Sequence, residues 1–186
     1  MKMKLTDGKI LLRPHRADDV ETLYEAVRES VNEMSPWMPW CHAGYTIDES
    51  SAFIMSRDEA RAKEEDYSFG IFDAQTGAYF GGAGLNHLVR EYMYANLGYW
   101  IRTSCTGHGI ASSATRLLAR YGFEELGLQR IEIVAAVGNV ASQRAAEKAG
   151  AVREGVLRKR LYLHGKPHDA VLYSLVAEDI PASSSL

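Results

Sequence analysis

The chain has 186 residues, of which 46% are hydrophobic and 24% are charged, and its 21 lysines and arginines against 24 aspartates and glutamates give a formal net charge of −3. This composition is typical of one globular domain with a single core, which we expect over residues 1–180, followed by a flexible tail over residues 181–186. We expect no direct binding of nucleic acid, because such binding needs a basic surface and the net charge is slightly negative.

The sequence also indicates the compartment of the protein and whether it binds a membrane or a metal. No apolar run reaches the roughly 18 residues that a membrane-spanning helix needs, and the amino terminus lacks the apolar stretch of a secretory signal. Cys41 and Cys105 lack the paired spacing of a zinc site or a disulfide framework. His164 and His168 flank a Gly-Lys-Pro segment that is typical of a hairpin turn. We therefore expect a cytoplasmic protein with no bound metal and no membrane association.

The first third of the chain predicts one strand and two helices. Residues 9–13 form a short apolar run that ends at a proline, which is typical of a strand. Apolar side chains then recur at spacings of three and four between Val20 and Val31, which predicts a helix with one face on the core. Residues 36–41 contain two prolines and two tryptophans and predict an irregular loop, which either plugs the core or lines a substrate pocket. A second helix is expected from Thr46.

The rest of the chain predicts a sheet with further helices. An alternating pattern from Tyr67 to Phe72 and turn residues at 73–77 begin an antiparallel meander, whose next strands we expect at 78–89 and 92–101. The last elements are a helix, a strand, a helix capped by Gly150 and two closing strands, the first three expected at 109–125, 130–137 and 140–149. The order β-α-α-β-β-β-α-β-α-β-β predicts an α/β (α+β) fold with a mixed, mainly antiparallel central sheet and helices on both faces.

The strongest local motif is the glycine-rich loop 106–111, Thr-Gly-His-Gly-Ile-Ala, between a strand and a helix. Glycines let backbone N–H groups approach an anion, and the start of the next helix offers unpaired donors and a partial positive charge. The loop therefore favours a phosphate or pyrophosphate ligand, unless it is only a tight turn. It lacks the Gly-Lys-Ser/Thr of a P-loop, and Ser112 stands where a dinucleotide-binding fingerprint has its third glycine.

Several segments occur together in an order that is characteristic of one family. With them, residues 9–179 resemble the GNAT superfamily of acetyl-CoA-dependent N-acetyltransferases, and within it the RimJ/RimL group of ribosomal-protein N-terminal acetyltransferases. The matching segments are Leu11-Leu12-Arg13-Pro14, Asp18-Asp19, Pro36-Trp37-Met38-Pro39-Trp40, Leu97-Gly98-Tyr99-Trp100-Ile101, Gly107-His108-Gly109-Ile110-Ala111, Phe123-Glu124-Glu125-Leu126-Gly127-Leu128, Asn139-Val140-Ala141-Ser142 and Lys148-Ala149-Gly150.

The resemblance implies that acetyl-CoA is the co-substrate, and it assigns residues to the pantetheine arm and to the pyrophosphate of that molecule. In this family the strand before the loop splays from its neighbour, and the pantetheine arm lies in the opening, where it pairs with the strand like a sheet partner. The resemblance assigns this pairing to Trp100, Ile101 and Arg102. It assigns the pyrophosphate to Thr106, Gly107, His108, Gly109, Ile110 and Ala111. Asn139 would contact the pantetheine region and cap the following helix.

Ser142 is the candidate catalytic residue and a further cofactor contact. Many family members place a tyrosine seven residues after the asparagine to protonate the leaving thiolate, but that position is Ala146 here. The RimJ/RimL arrangement instead has a serine three residues after the asparagine, which Ser142 fits. Its hydroxyl would protonate CoA as it leaves, an effect of about 10²-fold. A serine that only satisfies backbone groups at a helix start is the structural alternative.

We expect a primary amine to attack the thioester directly, without a protein nucleophile. An α-amine, with a pKa near ~8, loses its proton more easily than a lysine amine near ~10.4, which favours a protein or peptide N-terminal α-amine as acceptor, on a ribosomal protein or another one. Trp37, Trp40, Tyr45 and Asn86 are expected to bind the acceptor.

The general base stays open at this stage. Several relatives carry a glutamate at the position of Asn96, and asparagine cannot act as a base. The carboxylates of residues 64–66 and the pair Asn86-His87 are the other candidates. A backbone N–H between Leu97 and Tyr99 would stabilise the oxyanion.

Two other functions remain compatible with the sequence. One is an N-acetyltransferase for a small molecule such as an amino acid, a polyamine or a toxic amine, because a family fold does not fix the substrate. The other is a non-catalytic acyl-CoA-binding module, since Asn96 and Ala146 replace two residues that act in relatives. The sequence also leaves open whether the chain forms a homodimer.

Overall fold

The structure, a computed structural model, describes residues 3–180, so the expected tail at 181–186 lies outside the described residues. Within this range one eight-stranded sheet, in the order β1-β2-β3-β4-β5-β6-β8-β7, carries five α-helices. The strands are β1 Leu5–Thr6, β2 Ile10–Arg13, β3 Asp66–Asp73, β4 Tyr79–Val89, β5 Tyr94–Ile101, β6 Arg130–Ala136, β7 Val152–Leu163 and β8 Lys166–Leu175. The helices are α1 Val20–Glu29, α2 Val31–Met34, α3 Ile47–Ala62, α4 Ile110–Glu124 and α5 Val140–Ala149.

The expected fold class is confirmed. All neighbouring strands pair antiparallel except β5 and β6, which are parallel. A parallel neighbour requires a long crossover, and helix α4 supplies it. The change of direction therefore falls directly after the glycine-rich loop.

Two apolar clusters pack on the two faces of the sheet. The larger contains Phe69, Leu97, Leu118 and Ile131, with α4 against strands β3 to β6. The smaller joins α1 and α3 to the opposite face. Helix α3 begins with a capping box, in which the Thr46 hydroxyl accepts from the Glu49 N–H and the Glu49 carboxylate accepts from the Thr46 N–H.

Some element boundaries differ from the expectation. The first helix ends at Glu29 rather than continuing to Val31, because the Ser30 hydroxyl donates to the Ala26 carbonyl and the chain restarts as the short α2. Strand β5 begins at Tyr94, two residues late, and strand β1 was not expected. The helix after the loop begins at Ile110 with Gly109 as its N-cap, and Gly150 caps α5 as predicted.

Strand β7 forms one edge of the sheet and is irregular. Its register against β8 shifts between Leu157 and Leu161, and Lys159 has a φ of 52°. The backbone N–H of Lys159 donates to the Asp169 carboxylate at 2.8 Å instead of to a strand. The turn to β8 falls at His164 and Gly165, as predicted.

No helix among residues 3–180 is long and apolar enough to cross a membrane. The same part of the chain contains no group of three or more histidine, cysteine, aspartate or glutamate side chains that could hold a metal ion.

Candidate functional site

Strands β5 and β6 separate after only three paired positions. The pairs are Tyr94 with Arg130, Ala95 with Ile131 and Asn96 with Glu132. Beyond Asn96, β5 stays paired with β4 and β6 with β8, so the two strands diverge. A cavity of about 500 Å³ fills the gap and reaches the glycine-rich loop and α5; we call it the cofactor cavity. The divergence leaves the β6-facing backbone of residues 97–101 free to pair with an extended ligand.

The glycine-rich loop lies at the end of this cavity and is open to solvent. Residues 106–109 are exposed, and Gly107 and Gly109 have φ values of 83° and 76°. A Cβ at either glycine would meet no atom within 4 Å, so the space beside both residues is open. The first N–H groups of α4 have no acceptor within the helix and point out of its end. This arrangement fits a diphosphate, whose charge the helix N-terminus also favours.

The segment before the loop is held by the end of α1. The Glu29 carboxylate accepts from the Arg102 side chain at 2.6 Å and from the Ser104 N–H at 2.9 Å. Hydrogen bonding from the side chain and backbone of Ser104, and then from Arg102, lowers the pKa of Glu29. The Thr103 N–H donates to the Ser30 hydroxyl at 3.0 Å. Arg102 is therefore paired with a carboxylate and does not line the cofactor cavity. The loop offers backbone donors, and the cationic side chains that line the cofactor cavity are those of Arg144 and Lys148.

Ser142 lies on the cofactor cavity in the first turn of α5. Its N–H donates to the Asn139 side chain at 3.1 Å, so Asn139 is the N-cap, as the sequence predicts. Tyr99, from the diverging strand, donates its hydroxyl to the Ser142 carbonyl at 2.8 Å, and the two hydroxyl oxygens are 3.2 Å apart. Burial raises the pKa of Tyr99 to about 12, so this phenol keeps its proton at neutral pH.

A second cavity, of about 440 Å³, lies on the opposite face of the sheet, under α1 and α3; we call it the acceptor cavity. Trp40 lies at its border and is 46% exposed to solvent. The ring of Trp40 packs edge-on against that of Trp100, with 6.1 Å between the ring centroids. Tyr45 is buried and its hydroxyl accepts from Ser50 at 3.0 Å. Three of the four expected acceptor residues, Trp40, Tyr45 and Asn86, line this cavity. The fourth, Trp37, lines the cofactor cavity instead, with its ring against Gly138.

Polar side chains of the acceptor cavity are concentrated on β3 and α3. Asp66 lies 3.4 Å from the Arg57 guanidinium and also accepts a hydrogen bond from Ser68. Glu49 lines the cavity as well and pairs with His42. Arg57 lines the cavity too, so the charge of Asp66 is balanced there by its guanidinium.

His15 is the most perturbed base beside the acceptor cavity. Its Nε2 lies 3.0 Å from the Tyr79 hydroxyl, and its Nδ1 is buried without a hydrogen-bond partner. Burial lowers its pKa to about 4, so the ring is neutral at pH 7. Of the bases that the sequence offered, Asp66 lies on the cavity, while Glu64 is exposed and paired with Arg90.

The two cavities meet at Gly98, Tyr99 and Trp100, which line both, together with Met38 from the proline-rich loop. Of the expected cofactor residues, Trp100, Ile101, Thr106, Gly107, Gly109, Ile110, Ala111, Asn139 and Ser142 lie on the cofactor cavity, whereas Arg102 and His108 do not. A thioester on one side of the sheet and an amine on the other can therefore come into contact without an intermediate carrier.

Two side chains at this site were not singled out as functional by the sequence. Tyr99 belongs to a recognised motif, but its contact with Ser142 joins residues 43 positions apart. His15 follows the first predicted strand and reaches the cavity only because β2 pairs with β3. A lone histidine and a strand tyrosine carry no spacing signal, so only the fold could reveal them.

Comparisons with known proteins agree with this geometry. The family model of the acetyltransferase (GNAT) domain matches residues 9–152. "Putative ribosomal N-acetyltransferase YdaF" of Bacillus subtilis (strain 168) is 32% identical over 170 residues, which are 91% of this chain and 92% of that protein. The ribosomal protein uS5-alanine N-acetyltransferase of Escherichia coli (strain K12) is 24% identical over 96% of this chain and 93% of its own length.

A solved structure with bound ligands is also similar. The microcin C7 self-immunity acetyltransferase MccE, in complex with acetyl-CoA and AMP, superposes with a TM-score of 0.84 at 26% identity and covers 92% of this chain and 93% of its own. The fold, the open loop and the matched domain together define an acetyl-CoA-dependent N-acetyltransferase. The chain belongs to the GNAT acetyltransferase family, in its RimJ/RimL-like group.

Proposed function

We propose that this protein transfers the acetyl group of acetyl-CoA directly to the α-amine at the N-terminus of a protein or peptide. The observation that carries the proposal is the junction of the two cavities at residues 98–100, where an amine and a thioester can meet. The names of the ribosomal-protein acetyltransferases to which the chain is similar support a protein acceptor. Such an acceptor implies that the reaction takes place in the cytoplasm.

Each part of acetyl-CoA has a matching part of the cofactor cavity. The backbone amides of residues 106–111 bind the diphosphate, and the free edge of residues 97–101 pairs with the pantetheine arm. This places the thioester beside Tyr99 and Ser142. A backbone N–H of the diverging strand near residues 97–99 stabilises the oxyanion that forms when the amine attacks.

The acceptor nitrogen loses two protons in the reaction, one before it attacks and one after, and the thiolate gains one. The carboxylate of Asp66 attracts the ammonium form of the acceptor and can take its proton, which leaves the neutral amine as nucleophile. Glu49 is less suited to this role, because both of its carboxylate oxygens already accept hydrogen bonds, from His42 and Thr46. The neutral amine attacks the acyl carbon and gives a tetrahedral intermediate, and the carbon–sulfur bond breaks when this intermediate collapses. The hydroxyl of Ser142 gives a proton to the departing thiolate and regains one from the second proton that the acylated nitrogen loses, directly or through water. Tyr99 holds that serine in place.

A small-molecule amine is the second candidate acceptor. Its support is the size and lining of the acceptor cavity, since a few hundred Å³ walled by Trp40, Tyr45, Phe53 and Trp100 is typical of a small-ligand site. The two candidates make different demands on the same cavity. The rest of a bound peptide must extend out of the cavity, past the partly exposed Trp40, whereas a small amine fits within the cavity.

CoA release from acetyl-CoA tests the proposal with a panel of acceptors. The panel contains peptides with a free α-amine, the same peptides with an acetylated N-terminus, polyamines and free amino acids. We expect turnover with the free peptides and none with their blocked counterparts. Turnover confined to polyamines or amino acids would favour the small-molecule function. The absence of turnover throughout, despite stabilisation by acetyl-CoA, would contradict both.

A further inference from the structure

Gly98 lacks a side chain at the point where the two cavities meet. A Cβ built there would find no atom within 4 Å, and Gly98 is not among the described residues with positive φ. Neither the backbone nor the packing of the folded chain therefore requires glycine at this position. Its neighbours on the sheet differ, because a Cβ at Gly82 would lie 2.7 Å from the Trp100 indole nitrogen and one at Gly84 3.1 Å from Ser68.

The sides of this opening are fixed by the residues that flank Gly98 on the same face of β5. Side chains two apart on a strand point the same way, so Asn96, Gly98 and Trp100 share a face. The amide of Asn96 donates to the Asn86 side chain at 2.8 Å. Trp100 packs against the rings of Trp40 and Tyr79, at 6.1 Å and 6.0 Å. The open space between them is therefore one side chain wide.

The chemistry of the acceptor makes this space important. The attacking nitrogen must reach the acyl carbon, and the atoms bonded to the carbon that carries the nitrogen follow within about 1.5 Å of it. An N-terminal glycine has only hydrogens and the peptide carbonyl on that carbon. Every other amino acid adds a side-chain carbon, which must fit beside the strand where Gly98 lies.

We propose that Gly98 is a specificity-determining residue: the space left by its missing side chain admits amines on branched carbons, which are the α-amines of residues other than glycine. This inference rests on the proposed function. A methyl group at position 98 occupies that space and leaves room only for amines on unbranched carbons. Selection between acceptors is thus set by one carbon atom of the enzyme.

The test compares Gly98→Ala with the wild type on two peptides that differ only in an N-terminal glycine or alanine. We expect kcat/KM for the alanyl peptide to fall at least tenfold and that for the glycyl peptide to fall less than threefold. The matched control is Gly155→Ala on β7, where a Cβ also meets nothing within 4 Å, φ is also not positive and neither cavity is near. The control should leave both values unchanged.

Binding of acetyl-CoA and the melting temperature are measured on the same variants. Equal losses for both peptides, or no loss, would overturn the inference, as would a loss of acetyl-CoA binding that accounts for the lower rate. The wild type supplies an independent measurement through N-terminal glycine, alanine and α-aminoisobutyric acid. We expect activity with the first two and a sharp loss with the third, which carries a second methyl group. A wild type that prefers glycine to alanine by more than tenfold would contradict the proposal without any variant.

Failure of the proposed function is distinguished by the wild type alone. If it acetylates small amines and no peptide, the acceptor class is wrong, and Gly98→Ala is then tested on a straight-chain amine and its α-methyl isomer. The same change in their ratio is expected. If the wild type acetylates neither peptides nor small amines, both the proposed function and the specificity role of Gly98 are wrong.

Discussion

At the scale of single residues, Ser142 combines a structural and a chemical contact in one side-chain position. Its N–H satisfies the helix cap with Asn139, while its hydroxyl is free to contact both Tyr99 and the cofactor cavity. The cap uses the backbone of Ser142, whereas the reaction that we propose uses its side chain. The two roles can therefore be separated by a substitution that keeps the backbone.

We expect Ser142→Ala to lower kcat by about 10²-fold, because general acid catalysis contributes an effect of this size. The dissociation constant for acetyl-CoA should change less than threefold, since the N–H to Asn139 remains. Steady-state kinetics and calorimetry with acetyl-CoA measure the two quantities.

Ser142→Thr is the control for this prediction, because it restores a hydroxyl on the same atom and should recover part of the rate. If Ser142→Ala keeps full turnover while Tyr99→Phe abolishes it, the phenol of Tyr99 is the proton donor instead. Its pKa near 12 makes it a weaker acid than a typical phenol but leaves it protonated at neutral pH.

Most of the residues that the sequence assigned to each cavity line it, and on the cofactor side the reason is physical. Backbone binding needs glycines at fixed spacing before a helix, so positions 107 and 109 carry a readable pattern. Arg102 illustrates the limit, since the resemblance assigned it to the pantetheine arm but its side chain is held by Glu29, 73 residues away. The position of Trp37 on the cofactor side depends in the same way on a distant contact, with Gly138.

At the scale of elements, helix α4 and its glycine loop act together. Gly109 is the N-cap in a left-handed conformation that side chains other than glycine rarely adopt. The loop therefore combines a backbone requirement with an open surface for the ligand. Strain and ligand binding can be measured separately.

We expect Gly109→Ala to weaken acetyl-CoA binding about tenfold and to lower the free energy of unfolding by about 1 kcal/mol through strain at positive φ. Gly77→Ala is the matched control, because Gly77 has the same φ of 76° and equally open surroundings, in the turn before β4. Thermal unfolding with and without acetyl-CoA compares the two variants. Similar loss of stability with loss of binding only in Gly109→Ala is the expected result, and equal binding by both would contradict the role of the loop.

Long periodic elements could be predicted from the sequence, while short ones could not. The patterns for α1 and for the meander are readable because apolar side chains repeat over several turns or strands. Strand β1 has two residues and forms only because β2 lies beside it. The break at Ser30 arises from one hydroxyl that bonds back to Ala26, a competition that periodicity does not show.

At the scale of the whole molecule, His15 couples folding to pH. Burial is the main cause of its low pKa, and the charges of Arg13, Arg57 and Arg61 act in the same direction, against that of Asp19. The folded pKa is about 4 and the unfolded value is about 6.5, so the unfolded chain binds the proton first. The stability due to neutral His15 is complete above pH 6.5 and is lost as the pH falls towards 4.

We expect the free energy of unfolding to fall by about 1–2 kcal/mol between pH 7 and pH 5. Urea titrations across this range measure it. His15→Gln keeps a side chain able to bond the Tyr79 hydroxyl but cannot titrate, so its stability should be nearly flat over the same interval. An equal slope in the variant would assign the effect to other groups. The depressed pKa of Asp19 places its own transition at lower pH.

Strand β7 carries a consequence for the behaviour of the folded protein in crowded solution. A long strand at a sheet edge offers a template on which another chain can polymerise. Here the backbone of Lys159 departs from the extended conformation, and its N–H donates to the Asp169 carboxylate. The strand also carries three consecutive positive charges, those of Arg158, Lys159 and Arg160. The kink and the run of positive charge both disfavour extension of the sheet by a second copy of the chain. We therefore expect this edge of the sheet to be a poor template for fibril growth.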